Sequence, residues 1–124
     1  RMPNLNAAIG CAQLENLPHF IESKKRLYKR YKDAFLDIPY IHLIQEPEGC
    51  SSNYWLQTLV LDEAAHEKRD SLLEFTNANG LMTRPVWKLL NTLTPYRNSP
   101  CAPLPVANSI ETRIINLPSS ADLV

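Results

Sequence analysis

The sequence predicts an α+β domain: two long N-terminal helices and a third helix packed on one face of a small, mixed, three- to four-stranded sheet. Three observations predict it. Apolar residues recur at helical spacing over the first 36 positions. Short runs rich in β-branched and aromatic residues follow at 40–44, 54–61, 81–86 and 113–117, each bounded by turn residues. One more helix-patterned stretch lies among these runs, so helices and strands belong to a single layered unit.

The elements follow in chain order. Residues 1–17 open with an extended tetrapeptide, because Pro3 disfavours helix at Met2. Asn4 or Asn6 is placed to cap the first turn. Leu5, Ala8, Ile9 and Ala12 then share one helical face. Ala7, Ala8, Gly10 and Cys11 make it smooth-sided, fit for close approach of a large partner surface. A chain opening this way reads as the interior of a longer protein. The joint Leu17-Pro18 separates this helix from a second at 18–36, with proline in its first turn. Phe20, Leu27, Tyr28, Tyr31 and Phe35 line its apolar face. Lys24, Lys25, Arg26, Lys29, Arg30 and Lys32 read as a solvated face whose stems cover apolar surface. Pro39 stops the helix before the strand at 40–44. The run at 54–61 is apolar enough for a central strand buried on both sides. Asp62 can cap a third helix at 63–79, with Leu72, Leu73 and Phe75 facing in. Asn79-Gly80 ends it in a left-handed turn. Pro85 confines the strand at 81–86 to an edge, or ends it. Residues 87–96 read as loop with a short helical turn, 106–111 as a short helix, and 113–117 as the last strand.

At 124 residues the chain is one domain. With 44% hydrophobic and 21% charged residues it folds without staples. Thirteen basic residues balance 13 acidic ones, which argues against a general binder of nucleic acid or anionic membrane. No apolar run approaches the roughly 20 residues of a membrane span. The polar helix start is not a signal peptide. Cys11, Cys50 and Cys101 are odd in number and form no CxxC pair, so buried free thiols of a cytosolic protein are expected. Gly10, Gly49 and Gly80 stand alone, so no phosphate-cradling glycine loop exists. His19, His42 and His66 lie on separate elements without ligand spacing, and no metal is expected. No G-x-S-x-G elbow supports a serine nucleophile.

The informative side chains lie in loops. Arg84 follows a strand, with Trp87 three residues on. An arginine fork suits phosphate or carboxylate, and an indole can stack a flat ring. By spacing alone a structural salt bridge beside a packed indole is the better reading of this pair. Asn53, Tyr54 and Trp55 put an amide and two aromatics at a strand mouth, where core packing is the better reading of Trp55.

Longer motifs add to this. Asn6, Ala7, Ala8, Ile9, Gly10, Gln13, Leu14 and Glu15 resemble the N-x-x-A-A-I/L-G-x-x-Q-L-E segment of the DegT/DnrJ/EryC1/StrS sugar aminotransferases. Arg1 matches the arginine ending the family's preceding G-Y/F-N-Y/F-R motif. The stretches at 53–56, 80–87, 95–96 and 116–120 (NYWL, GLMTRPVW, PY and NLPSS) then fall in family order. The resemblance covers essentially the whole chain. GLMTRPVW is most similar to the branch acting on UDP-linked 4-keto-6-deoxy amino sugars. Two departures stand out. Leu89-Leu90-Asn91 replaces a P-L-H type segment whose histidine lies near substrate, and the last helix that many members carry after the P-S-S turn does not follow.

The resemblance implies the C-terminal domain of a fold type I aminotransferase over residues 1–124. It implies an intact cytoplasmic enzyme, usually a homodimer, that uses pyridoxal phosphate and glutamate to aminate a keto-sugar nucleotide for surface polysaccharide or glycan synthesis, with no nucleic-acid or membrane partner. Arg1 would approach the cofactor or substrate phosphates, while Arg84, Asn53 and Trp87 would shape the sugar-nucleotide site. None of Lys24, Lys25, Lys29, Lys32, Lys68 and Lys88 matches the family's Schiff-base lysine, so no catalytic residue and no bound cofactor are expected of the chain alone. The competing expectation is a separately encoded, non-catalytic domain that docks a partner protein through its N-terminal helix.

Overall fold

In a computed structural model describing residues 1–124, the first 35 residues hold the largest departure from expectation. One helix, α1 (Asn4–Phe35), replaces the two expected, and Pro18 lies inside it. A mid-helix proline deletes one amide donor and crowds the carbonyl four residues back. That carbonyl belongs to Leu14, on an exposed turn where water can satisfy it. Neither asparagine caps the helix. Pro3 holds the N-cap position, with extended backbone and no side-chain bond, and its carbonyl accepts the Ala7 amide at 3.1 Å.

Four strands follow: β1 (Ile41–Leu43), β2 (Gln57–Leu61), β3 (Arg84–Pro85) and β4 (Ile114–Leu117). Their order is β1-β2-β4-β3. Every pairing is antiparallel, which corrects the expected mixed sheet. The helical crossover after β2 does leave β3 parallel to it, but β4 inserts between them and runs against both. The α+β class holds. As expected, β2 is central and almost wholly buried, and the strand carrying Pro85 is a two-residue edge strand that ends there.

The third helix is shorter than expected. Residues Glu63–Lys68 form a 3-10 segment, and α2 (Arg69–Ala78) follows. Asp62 makes no capping bond; its carboxylate lies 3.5 Å from Nδ1 of His42. Gly80 takes the left-handed turn at the helix end, with φ 79°. Residues 86–104 carry two 3-10 turns, Leu90–Thr92 and Thr94–Tyr96, and α3 (Pro105–Glu111) precedes β4.

Leu43, Leu59, Leu61, Ala65 and Ile115 form the core. Tyr28, Tyr31 and Phe35 of α1 and Leu72 and Leu73 of α2 pack against the same cluster, so both helices cover one sheet face. Each such side chain contributes roughly 1.5–3 kcal/mol when fully buried. Phe75 points away instead, 66% exposed, because the stripe of a ten-residue helix is filled by Leu72 and Leu73. The N-terminal half of α1 packs on nothing in the chain: Leu5, Ile9 and Leu14 are exposed. No helix is long and apolar enough to cross a membrane.

Candidate functional site

Two loops and two strand ends meet at one edge of the sheet. Residues 52–56 enter β2 through a left-handed residue, Tyr54, with φ 48°. Such a backbone costs a non-glycine residue about 1–3 kcal/mol and persists only where its surroundings hold it. Here they do. The Ser52 amide donates to the Glu46 carboxylate at 2.7 Å, the Tyr54 amide to Ser52 Oγ at 3.0 Å, and the Trp55 amide to Asn53 Oδ1 at 3.0 Å. The Tyr54 ring lies against Tyr28, centroids 4.6 Å apart. This turn sends Tyr54 inward and Trp55 outward.

Trp55 is therefore 64% exposed and not a core residue. It stacks on Trp87, itself 65% exposed, with ring centroids 6.0 Å apart and planes inclined by 25°. Two adjoining, solvent-facing indoles hide little surface from water, so core packing does not account for either.

Arg84 lies beside this pair in a cleft of about 500 Å³, shared with Met82, Asn116 and Ser119. It forms no ion pair, which corrects the salt-bridge expectation. The carboxylates are drawn elsewhere: Asp70 to Arg69, Glu111 to Lys88 and Asp62 to His42. Arg84 sits opposite Asn116 in the β3–β4 ladder, so both side chains leave the same sheet face. Asn116 is oriented by Thr58, whose Oγ1 donates to its Oδ1 at 3.0 Å. The segment before Arg84 is pinned by buried Thr83: Asn77 Nδ2 donates to the Thr83 carbonyl at 3.0 Å, and Thr76 Oγ1 meets Thr83 Oγ1 at 2.5 Å.

A second cleft, about 400 Å³, lies on the other side of Trp55 and holds Asn53, Lys24 and Asp122. Lys24 leaves the solvated face assigned to it, whereas Lys25, Arg26, Lys29, Arg30 and Lys32 are exposed as expected. Its Nζ donates to the backbone carbonyls of Ser119 and, at 3.4 Å, Trp55. Burial pushes the Lys24 amine below its usual range. Helical spacing from Phe20 and Leu27 was the available signal for an inward Lys24, and the run of charges around it masked that signal.

The structure thus gathers Arg84, Trp87 and, across Trp55, Asn53. It does not gather Arg1. That residue is exposed ahead of α1, and about 20 Å of helix rise separates Asn4 from Leu17 at the edge of the second cleft. The three cysteines are free but exposed, one on the bare half of α1 and two in surface loops, which corrects the buried-thiol expectation.

The class defined by this geometry is an α+β domain that carries two exposed, stacked indoles beside an arginine without an ion-pair partner. More narrowly, the chain belongs to the DegT/DnrJ/EryC1/StrS aminotransferase family, whose pattern matches residues 1–124. The chain is 35% identical over 120 residues to GDP-perosamine synthase of Vibrio cholerae, covering 96% of this chain and 32% of that protein. It is 28% identical over 127 residues to dTDP-4-amino-4,6-dideoxy-D-glucose transaminase of Escherichia coli, covering 99% and 34%. The structure of DesI, determined in the presence of its TDP-sugar product, superposes with a TM-score of 0.90 at 27% identity, covering 99% of this chain and 32% of that one. The chain spans about a third of the length of the curated relatives named here.

The family is pyridoxal phosphate-dependent. The residues of this chain do not compose a site for that cofactor. A Schiff base needs a lysine with a free amine in a cavity. Lys24 is the lysine drawn inward, and its Nζ is taken up by two carbonyls. Lys25, Lys29, Lys32, Lys68 and Lys88 are exposed.

Proposed function

We propose that residues 1–124 are the C-terminal domain of a nucleotide-sugar aminotransferase, and that the Trp55–Trp87–Arg84 cleft is its contribution to the substrate site. One observation carries this reading: two exposed, stacked indoles share a cleft with an arginine that has no protein partner. Indole faces suit a nucleobase. The Arg84 fork suits the oxygens of a pyrophosphate, which it can take two at a time. Asn116 and Asn53 offer amides to sugar hydroxyls from either side of Trp55.

In the intact enzyme these groups hold and orient the sugar nucleotide and keep water from its reacting carbon. Arg1, at the far end of α1, serves the cofactor or the phosphates of the neighbouring subunit in a homodimer. Pyridoxal phosphate supplies the electron-sink chemistry there. The amino group comes from glutamate and goes to a keto-sugar nucleotide, a UDP-linked 4-keto-6-deoxy amino sugar by the GLMTRPVW motif, in the cytoplasmic synthesis of surface polysaccharide or glycan. The relatives named for GDP- and dTDP-linked sugars make those nucleotides the competing choices. Nucleic acid and membrane are not partners in this reading.

Titrating the chain with UDP-, GDP- and dTDP-linked sugars while following tryptophan fluorescence tests it. Saturable quenching is expected, strongest with the UDP sugar. Quenching equally strong with free ribose phosphate would overturn the reading. Adding pyridoxal phosphate is expected to give no imine absorption and no borohydride-trapped lysine.

A second reading draws on the bare half of α1, where Leu5, Ile9 and Leu14 are exposed. In it the chain is a non-catalytic domain that docks a partner protein through this helix. Sedimentation separates the two: a clean monomer at high concentration counts against an exposed docking helix.

A further inference from the structure

We propose that Lys24 is a positioning residue of the cleft: by clamping the backbone of Trp55 to the turn at Ser119, it sets the Trp55 indole against Trp87. The clamp deepens the nucleotide-sugar reading and rests on it for the ligand, but the indole geometry stands apart from any ligand.

Both backbone polar groups of Trp55 are held by side chains. Its amide donates to Asn53 Oδ1 at 3.0 Å. Its carbonyl accepts Ser119 Oγ at 2.9 Å and Lys24 Nζ at 3.4 Å. The same Nζ also donates to the Ser119 carbonyl. One ammonium therefore ties together three pieces of chain far apart in sequence: α1, the entry to β2, and the turn after β4. A neutral hydrophobic side chain would leave the Ser119 carbonyl, in its partly buried contact, without this donor and the Trp55 carbonyl with Ser119 Oγ alone. A serine alone reaches the Trp55 carbonyl but leaves its own carbonyl without the ammonium.

The anchor point is rigid. The Lys24 carbonyl accepts Gln57 Nε2 at 3.1 Å, and the Gln57 side chain is 1% exposed. The preceding residue, Ser23, is likewise 1% exposed. Two turns beyond Lys24, Tyr31 donates its hydroxyl to the Pro118 carbonyl at 3.0 Å. The turn at 118–119 is thus held at two points from one helix face, and Trp55 hangs from that turn.

The clamp matters because Asn53 and Ser119 each hold one polar group of Trp55, whereas Lys24, on α1, also fixes that turn to the helix. The Trp55 ring is open to solvent and its one aromatic neighbour is Trp87. A charge-assisted hydrogen bond is stronger than a neutral one, and one ammonium shared by the Trp55 and Ser119 carbonyls holds the backbone from which the ring projects.

The chain has two tryptophans, and both are in this pair, so indole–indole exciton coupling in circular dichroism has no other source. The full chain and its Lys24→Met and Lys24→Arg variants are compared, with Trp87→Phe setting the zero. Lys24→Met is expected to lose at least half of the couplet while unfolding cooperatively, and Lys24→Arg to keep it. A purely structural lysine would lower the melting midpoint in Lys24→Met and leave the couplet of the folded protein intact, and that result overturns the proposal. If Lys24→Met does not fold, Lys24→Gln replaces it, since the shorter amide cannot reach both carbonyls; a full couplet there overturns the proposal equally. In the same samples the UDP-sugar dissociation constant is expected to rise about tenfold in Lys24→Met. If no nucleotide sugar binds the unmodified chain, the functional reading fails while the couplet still decides the clamp.

Discussion

The two halves of α1 share one backbone and one apolar periodicity, yet only one half is inside anything. From Phe20 on, the helix packs: Ser23 and Leu27 are buried and Tyr28, Tyr31 and Phe35 rest on the core. Before Pro18, Leu5, Ile9 and Leu14 are as apolar and lie in water. Periodicity shows that a face is meant to be covered; it does not show by what. The packed half also positions the cleft, through Lys24 and Tyr31. The bare half carries the first of the family motifs and makes no tertiary use of its apolar residues within the chain.

The sharpest break in this comparison is a pair of leucine truncations. Leu27→Ala, at a site 5% exposed, is expected to cost about 2–5 kcal/mol through lost burial and a cavity. Leu14→Ala, 68% exposed, is expected to stay within about 0.5 kcal/mol. Denaturant unfolding of the two variants checks this, and equal losses would mean that the bare half is covered in solution. Next in size is Pro18→Ala at the boundary. Restoring the missing amide donor is expected to stabilise the chain by up to about 3 kcal/mol. Thermal melting reads the gain, and a loss would show that Pro18 sets a bend the fold needs.

Smaller again is Tyr31→Phe, which removes the hydroxyl bond to Pro118 and about 1 kcal/mol. It also sharpens a pH dependence. Burial raises the phenols of Tyr28, Tyr31 and Tyr54 above 10.0, with the Glu46 carboxylate adding to Tyr28 and Tyr54 and the Arg30 charge opposing at Tyr31. As pH climbs past 10.0 the unfolded chain releases these protons first. It then binds fewer protons than the folded chain, so stability falls there and is unaffected by these groups at lower pH. Lys24 acts in the opposite sense just below 10.5, because burial lowers its amine and the folded chain gives up that proton first. Denaturation at pH 9 to 11 is expected to show a shallower fall in Tyr31→Phe than in the unmodified chain.

Much of the fold was legible in the residues. The apolar run at 54–61 marked a central strand, of which Gln57–Leu61 forms, Pro85 marked an edge, and Asn79-Gly80 marked a helix end, because each is a local constraint with one common solution. Strand direction was not local. It depended on β4 inserting between two strands that a helix had already made parallel. Pro18 misled because a helix tolerates proline where water reaches the freed carbonyl. At the cleft, residue chemistry singled out Arg84 and Trp87 but favoured a salt bridge and a packed indole, and a substrate role for them came from the family resemblance. Trp55 was misread as core because its exposure follows from the left-handed backbone at Tyr54, which no side-chain pattern announces. Lys24 was hidden among exposed cations.

The most direct test of the proposed function is made on the proposed aminotransferase that contains this chain: the Michaelis constants for its proposed substrates, nucleotide sugar and glutamate, measured separately in Arg84→Met. Losing a charge-assisted contact to phosphate corresponds to about 1.5–3 kcal/mol. The account predicts a nucleotide-sugar KM at least about tenfold higher, with the glutamate KM unchanged. An unchanged nucleotide-sugar KM, or an equal rise for both substrates, would contradict it.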